Sequence, residues 1–115
     1  MAASESLSNY QFRYRPAKMK AFQHEVAAVD KETGKNVGYL LWQNSGSVDE
    51  VYVSEPKRRM GMATEMWNHA NRVADAAKGN VPHPEHSSSR TDAGDAWAKS
   101  VGGYIPPNTM DKEQR

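Results

Sequence analysis

The hydrophobic period of this chain changes once, across Ser54-Glu-Pro-Lys-Arg-Arg-Met-Gly61, and that change limits the folds open to it. Before this segment apolar and polar residues alternate, the two-residue period of strands. After it Met62, Met66, Ala70, Val73 or Ala74, and Ala77 recur at the spacing of one helix face. A sheet must therefore come first and a helix must pack on it.

Tyr10-Gln-Phe-Arg-Tyr-Arg15 reads as a short strand ended by Pro16, with Tyr10, Phe12 and Tyr14 on one face and Arg13 and Arg15 on the other. Phe22 to Asp30 is strand-like, and Lys31-Glu-Thr-Gly-Lys35 offers Gly34 for a hairpin turn into Asn36 to Gln43. That third stretch holds the most apolar run, Tyr39 to Trp42. Asn44-Ser-Gly-Ser47 turns the chain into Val48 to Val53, in which Val51 and Val53 share a face and Glu50 and Tyr52 take the other. The main helix is expected over Gly61 to Lys78, with Gly79 at its C-cap. Asn80 to Arg90 lacks periodicity and reads as a loop, after which Thr91 caps a short helix, Asp92 to Val101, stopped by Gly102-Gly103. The fold class is α+β (α/β-like): a small, mainly antiparallel meander, a main helix after the third or fourth strand, and a short C-terminal helix. Residues 1–9 read as a flexible polar tail, 10–105 as a single domain and 106–115 as a polar C-terminal tail.

Composition removes several functions. The 115 residues include no cysteine, so thiol chemistry, disulfides and thiolate metal sites are excluded. Fifteen Lys and Arg against fourteen Asp and Glu leave a net charge of +1, too weak a field to draw nucleic acid. Arg13, Arg15, Lys18 and Lys20 would have to share a face to serve that purpose. Met1 to Tyr14 has no apolar run of the secretory kind, and no stretch reaches the roughly 20 apolar residues of a membrane span. A cytoplasmic protein without membrane partners is expected. His83 and His86 have a ligand-like spacing but no third donor nearby, so no metal is expected. His86 is better suited to fixing the loop Ser87 to Arg90, and Trp42, Trp67 and Trp97 to packing.

The chemistry is concentrated in Val51 to Thr64, where a strand runs through a basic loop into a helix that starts at Gly61. The first turn of a helix carries amide N–H groups without intrahelical acceptors and a partial positive charge, which suits a diphosphate. Gly61 permits close approach, Ala63 keeps the next turn slim, and Arg58 and Arg59 add charge; alternatively the two arginines are solvated loop residues. Neither the Walker spacing nor the Rossmann fingerprint is present.

Arg58-Arg59-Met60-Gly61-Met62-Ala63 matches Arg/Gln-x-x-Gly-x-Gly/Ala. Set between an apolar strand and an amphipathic helix, it resembles motif A of the GNAT superfamily of acetyl-CoA-dependent N-acyltransferases, over about residues 22–79. The resemblance implies that Val51, Tyr52 and Val53 offer backbone groups to the pantetheine arm of acetyl-CoA. It further implies that Arg58, Arg59, Met60, Gly61, Met62, Ala63 and Thr64 hold the diphosphate. The function implied is acetyl transfer to a primary amine of a small molecule or protein, with Glu50 as the base that deprotonates the acceptor. The chain departs from the family in having only Pro16 to Ala21 where two helices usually stand, and Ala98 where a general-acid Tyr is common. These departures favour the alternative, an inactive GNAT-like module that acts through a protein partner. Tyr104 is a second candidate acid. A shortened sheet with an unpaired edge makes a homodimer the expected state.

Overall fold

The computed structural model describes residues 6–16, 23–58, 60–111 and 113. Its elements are β1 (Tyr10–Pro16), β2 (Gln23–Asp30), β3 (Asn36–Gln43), β4 (Val48–Val53), α1 (Met62–Ala77) and α2 (Asp92–Val101). Single 3-10 turns form at Leu7–Asn9 and Glu55–Lys57. The fold is α+β, with α1 following the fourth strand. The chain divides after Pro84 into two compact units.

In the first unit the strands form an antiparallel meander, β1-β2-β3-β4, in chain order. The register sets Tyr14, Val26, Leu40 and Val51 in one row across the sheet and Phe12, Ala28, Gly38 and Val53 in the next. This face and the α1 stripe of Met62, Met66, Ala70 and Ala74 bury each other. Trp42, Leu40, Val26 and Met66 are wholly buried, each contributing roughly 1.5–3 kcal/mol of transfer free energy. Trp42 donates its indole N–H to the Pro82 carbonyl at 2.8 Å, so its one polar atom is satisfied inside. Trp67 packs half-buried beside this core.

Two bulges adjust the pleat. One lies between Ala28 and Val29 and lets Val37 join the core with Gly38; the other sets Trp42 against Val48 and leaves Asp49 extra. Gly38 is required by close approach, because a Cβ there would lie 2.7 Å from the Tyr52 carbonyl oxygen and 3.5 Å from Met66 Cε.

His24, unremarked in the sequence, lies on the core face opposite Trp42 and is buried. It packs against both the Tyr14 and Trp42 rings, at 5.9 and 5.4 Å between centroids, and those two rings lie 6.0 Å from each other. Asn44 Oδ1 accepts from Nε2 at 2.5 Å, which leaves Nδ1 to accept the Tyr14 hydroxyl at 2.7 Å. Burial pushes the Tyr14 phenol up from its ordinary value.

α1 begins at Gly61 and ends with Lys78 as its left-handed C-cap, one residue before the glycine expected there; Gly79 follows with φ +95°. Leu7 to Asn9, read from sequence as part of a tail, instead form a turn capped by the Ser6 hydroxyl, and Asn9 accepts from the Lys31 amide at 3.0 Å. Phe22, the expected start of the second strand, and the segment Ala17 to Ala21 lie outside the described residues.

In the second unit Thr91 caps α2 by accepting from the Gly94 amide at 3.1 Å. The buried Arg90 donates to Asp95 Oδ1 at 3.0 Å and to the Ser87 carbonyl at 2.5 Å. His86 Nε2 donates to the Gly102 carbonyl at 2.8 Å, fastening this loop to the end of α2 as expected. The C-terminal segment is bound here too: Asn108 bonds both backbone groups of Arg90, and the Thr109 amide donates to the Ser88 carbonyl at 2.6 Å.

Replacing Gly38 by Ala should destabilise the protein by about 1–3 kcal/mol, because the obstructing atom is a backbone oxygen that cannot swing aside. Urea denaturation of wild type and Gly38→Ala measures this; equal midpoints would contradict the close approach.

Candidate functional site

The sequence places its candidate chemistry where β4 passes into α1. β4 is an outer strand of the sheet. The Ser54 amide donates to the Val37 carbonyl at 2.8 Å, so by antiparallel alternation Tyr52 and Glu50 turn their backbone groups toward β3. Val51 and Val53 then turn theirs outward, onto the open edge. Val51 and Val53 point their side chains into the core, whereas those of Glu50 and Tyr52 stand on the opposite face and are exposed.

After β4 the turn Glu55–Lys57 carries Pro56 and brings the chain back across the strand end. Arg58 donates its backbone N–H to the Glu55 carbonyl at 3.2 Å and its side-chain Nε to the Val53 carbonyl at 2.8 Å. One of the two outward carbonyls is therefore already engaged by the arginine, which remains exposed. Lys57 lies over the Tyr10 ring, 5.6 Å from its centroid. Arg59 lies outside the described residues, so its expected phosphate contact has no structural counterpart here. Met60 packs half-buried against the core, which makes it a packing residue rather than an exposed contact.

Gly61 adopts φ +83°, ψ 16°, a left-handed conformation costly for residues with a side chain. The first bond of α1 runs from the Glu65 amide to the Gly61 carbonyl at 2.9 Å, and Gly61 itself has no side chain to cap the helix. The Met62 and Ala63 amides precede that bond and have no acceptor within the helix. Among the described residues, a Cβ on Gly61 would meet Leu7 Cδ1 alone, at 3.9 Å. Gly61 is exposed, Met62 is buried, and Ala63 and Thr64 are half-exposed. A helix start of this kind has the chemistry that suits a diphosphate.

Glu50 accepts a hydrogen bond from the Tyr39 hydroxyl, and the Tyr39 and Tyr52 rings lie 5.4 Å apart. That bond to Glu50, with burial and the carboxylate charge behind it, pushes the Tyr39 phenol up to about 12. The pair sits on the face away from α1, but β4 is an outer strand, so Glu50 and the outward backbone of Val51 lie on adjoining sides of one rim. Ala98 is buried in the second unit and Tyr104 is largely exposed. Among the described residues no cluster of His, Asp or Glu is arranged to hold a metal ion, and no helix is long and apolar enough to cross a membrane.

Sequence reasoning located the loop and helix start but missed two polar clusters, Tyr14–His24–Asn44 and Tyr39–Glu50. The second was legible in part, since Tyr39 and Glu50 flank the same hairpin. Compared with protein-family models, curated proteins and solved structures, the chain matches none.

The Tyr39 hydroxyl keeps its proton in the folded state to about pH 12, above the ordinary phenol value of 10.0. Between those values the unfolded chain ionises first, so this residue's contribution to stability is intact below pH 10 and is lost as pH rises toward 12. Spectrophotometric tyrosine titration should show late phases from Tyr14 and Tyr39, of which the Tyr39 phase moves down in Glu50→Gln; a titration unchanged by that substitution would exclude the bond.

Proposed function

We propose that this chain is a compact N-acyltransferase that takes the acetyl group of acetyl-CoA and delivers it to a primary amine. The observation that carries this reading is the start of α1 at a left-handed, exposed Gly61 without a side-chain cap, reached by a short turn from an outer strand with outward backbone groups. The sequence match of Arg58 to Ala63 to motif A of the GNAT superfamily supports it.

In this reading the Met62 and Ala63 amides and the positive end of the helix dipole receive the diphosphate. Arg58, steadied by its Nε bond to Val53, turns its terminal guanidinium nitrogens to the same group, and Thr64 adds its hydroxyl. The outward N–H and C=O of Val51 and the N–H of Val53 pair with the pantetheine arm as a further strand would. A strand N–H directed at the thioester oxygen favours the tetrahedral intermediate over the flat carbonyl. Glu50, held by the Tyr39 hydroxyl, takes the proton that the ammonium acceptor must lose before nitrogen can attack. The amine nitrogen bonds to the carbonyl carbon, the carbon–sulfur bond breaks, and the thiolate leaves to be protonated.

One observation favours a second reading, a binding module that keeps the scaffold without the chemistry. The Val53 carbonyl, one of the two outward carbonyls of β4, is already taken by Arg58. That module would act through a protein partner.

Calorimetric titration with acetyl-CoA separates the outcomes. Micromolar binding is expected, weakened about tenfold in Arg58→Ala, a change of about 1.4 kcal/mol, and abolished in Gly61→Glu. Glu50→Gln should leave binding intact while lowering acetylation of an amine panel by about 10²- to 10⁴-fold. Binding equally strong in both cradle variants would move the cofactor elsewhere. No binding would end the acyltransferase reading.

A further inference from the structure

The sheet has a second face, and the charges on it are arranged in a way that suits a copy of itself. Register places Arg13, Ala27, Tyr39 and Tyr52 in one row across the four strands and Arg15, Glu25, Leu41 and Glu50 in the next. The side chains of both rows lie opposite α1. The accessible middle of the patch is Tyr39 and Leu41, both half-buried, beside Ala27, which the chain itself buries; arginines on β1 flank it on one side and Asp49, Glu50 and Tyr52 on β4 on the other. Arg13, Arg15, Glu50 and Tyr52 are exposed. Arg15 pairs with Glu25. The other charges are met by neutral groups among the described residues: Arg13 by Gln11, Asp49 by Gln23 and Gln43, and Glu50 by Tyr39. The face is thus positive along one side and carries two carboxylates without a cation along the other.

We infer that this face binds the same face of a second copy of the chain, about a two-fold axis running along the strands between β2 and β3. Two-fold axes in the plane of contact either follow the strands or cross them. A crossing axis lays β1 on β1 and sets arginine against arginine. An axis along the strands lays β1 of each copy over β4 of the other and keeps each row opposite itself. Arg15 then meets Glu50 of the second copy, and Arg13 meets the exposed Tyr52 ring as a cation over an aromatic face. The half-buried Tyr39 and Leu41 of the two copies supply the apolar centre. Every unlike pair occurs twice, as two-fold symmetry requires. Four strands about 4.8 Å apart and about six residues at 3.3 Å rise give a patch of roughly 400 Å² in plan. That is about half the roughly 800 Å² per partner of a standard interface, so the dimer is weak and concentration-dependent. Glu50 lies at its rim, and the second copy would bring Arg15 beside that carboxylate. The inference does not rest on the acyltransferase reading, and failure of acetyl-CoA binding leaves it standing.

Sedimentation velocity of the full chain from about 5 to 500 μM tests this, with half-dimerisation expected on the order of 100 μM and weakening as salt screens the rim charges. Arg15→Glu and Glu50→Arg should each shift the midpoint at least tenfold upward, by like-charge contact. Mixing these two variants should restore dimers, because both cross-contacts are then between opposite charges. Leu41→Glu, at the apolar centre, should give a monomer that charge mixing does not rescue, and circular dichroism checks that each variant is folded. A monomer at every concentration overturns the proposal, as it would if another part of the chain occupied the face. A dimer that all three variants leave intact also overturns it, and places the contact at a strand edge. Failure of the mixed variants to associate, with both folded, overturns the stated axis and with it the proposal.

Discussion

A helix can lie this close to a sheet only where both surfaces are slim or pliable, and the first unit depends on such a contact. Along α1 the buried stripe is Met62, Met66, Ala70 and Ala74, two thioethers followed by two methyl groups. Facing it, Gly38 and Ala28 supply almost no side chain, so Met66 can run its terminal methyl to within van der Waals distance of the Gly38 position. The bulk of the core is moved to the other side of the contact, where Leu40 and Trp42 fill the space that the small residues leave. Branched residues on the helix would hold it off the sheet and open a void over Leu40.

The same contact fixes where α1 begins. Met62 is buried in the core, so the residue before it must turn the chain sharply from the β4 edge into the helix axis. Gly61 makes that turn in a conformation few other residues adopt, and the helix start faces outward as a result. Packing of α1 and exposure of its first amides are thus one geometric fact. Arg58 adds to it from the strand side, bonding the Val53 carbonyl and tying the connecting turn to β4.

How much of this is legible in the residues depends on the distance over which each feature is decided. Alternation and helical period are local, so β1, β3, β4, α1 and α2 can be read directly, and so can the Thr91 cap. Gly61 can be read because an isolated glycine stands where two periods meet. The bulges at Ala28/Val29 and Leu41/Trp42 leave no trace, because one extra residue in a strand hardly alters a short alternating pattern. The environment of His24 depends on Tyr14, Trp42 and Asn44 from three separate segments, brought together only by strand register. Asn108 is tied to Arg90 across eighteen residues, which is why a polar, Pro-containing segment reads as a free tail when it is not. For the candidate site, the sequence marks the positions; the direction of the Arg58 side chain and the Tyr39–Glu50 bond come from the pairing of strands.

The strand order has a consequence for how the chain reaches this structure. Each strand pairs with the one made immediately before it, so no pairing in the sheet waits for a distant segment. The closure entropy of each step is that of a short loop, and such topologies fold faster than those with crossing connections. During synthesis β1 and β2 can join as soon as both have emerged, and β3 and β4 can add in turn. The apolar face they build stays uncovered until α1 is complete. The interval between Val53 and Ala77 is therefore when a growing chain is most exposed to its neighbours.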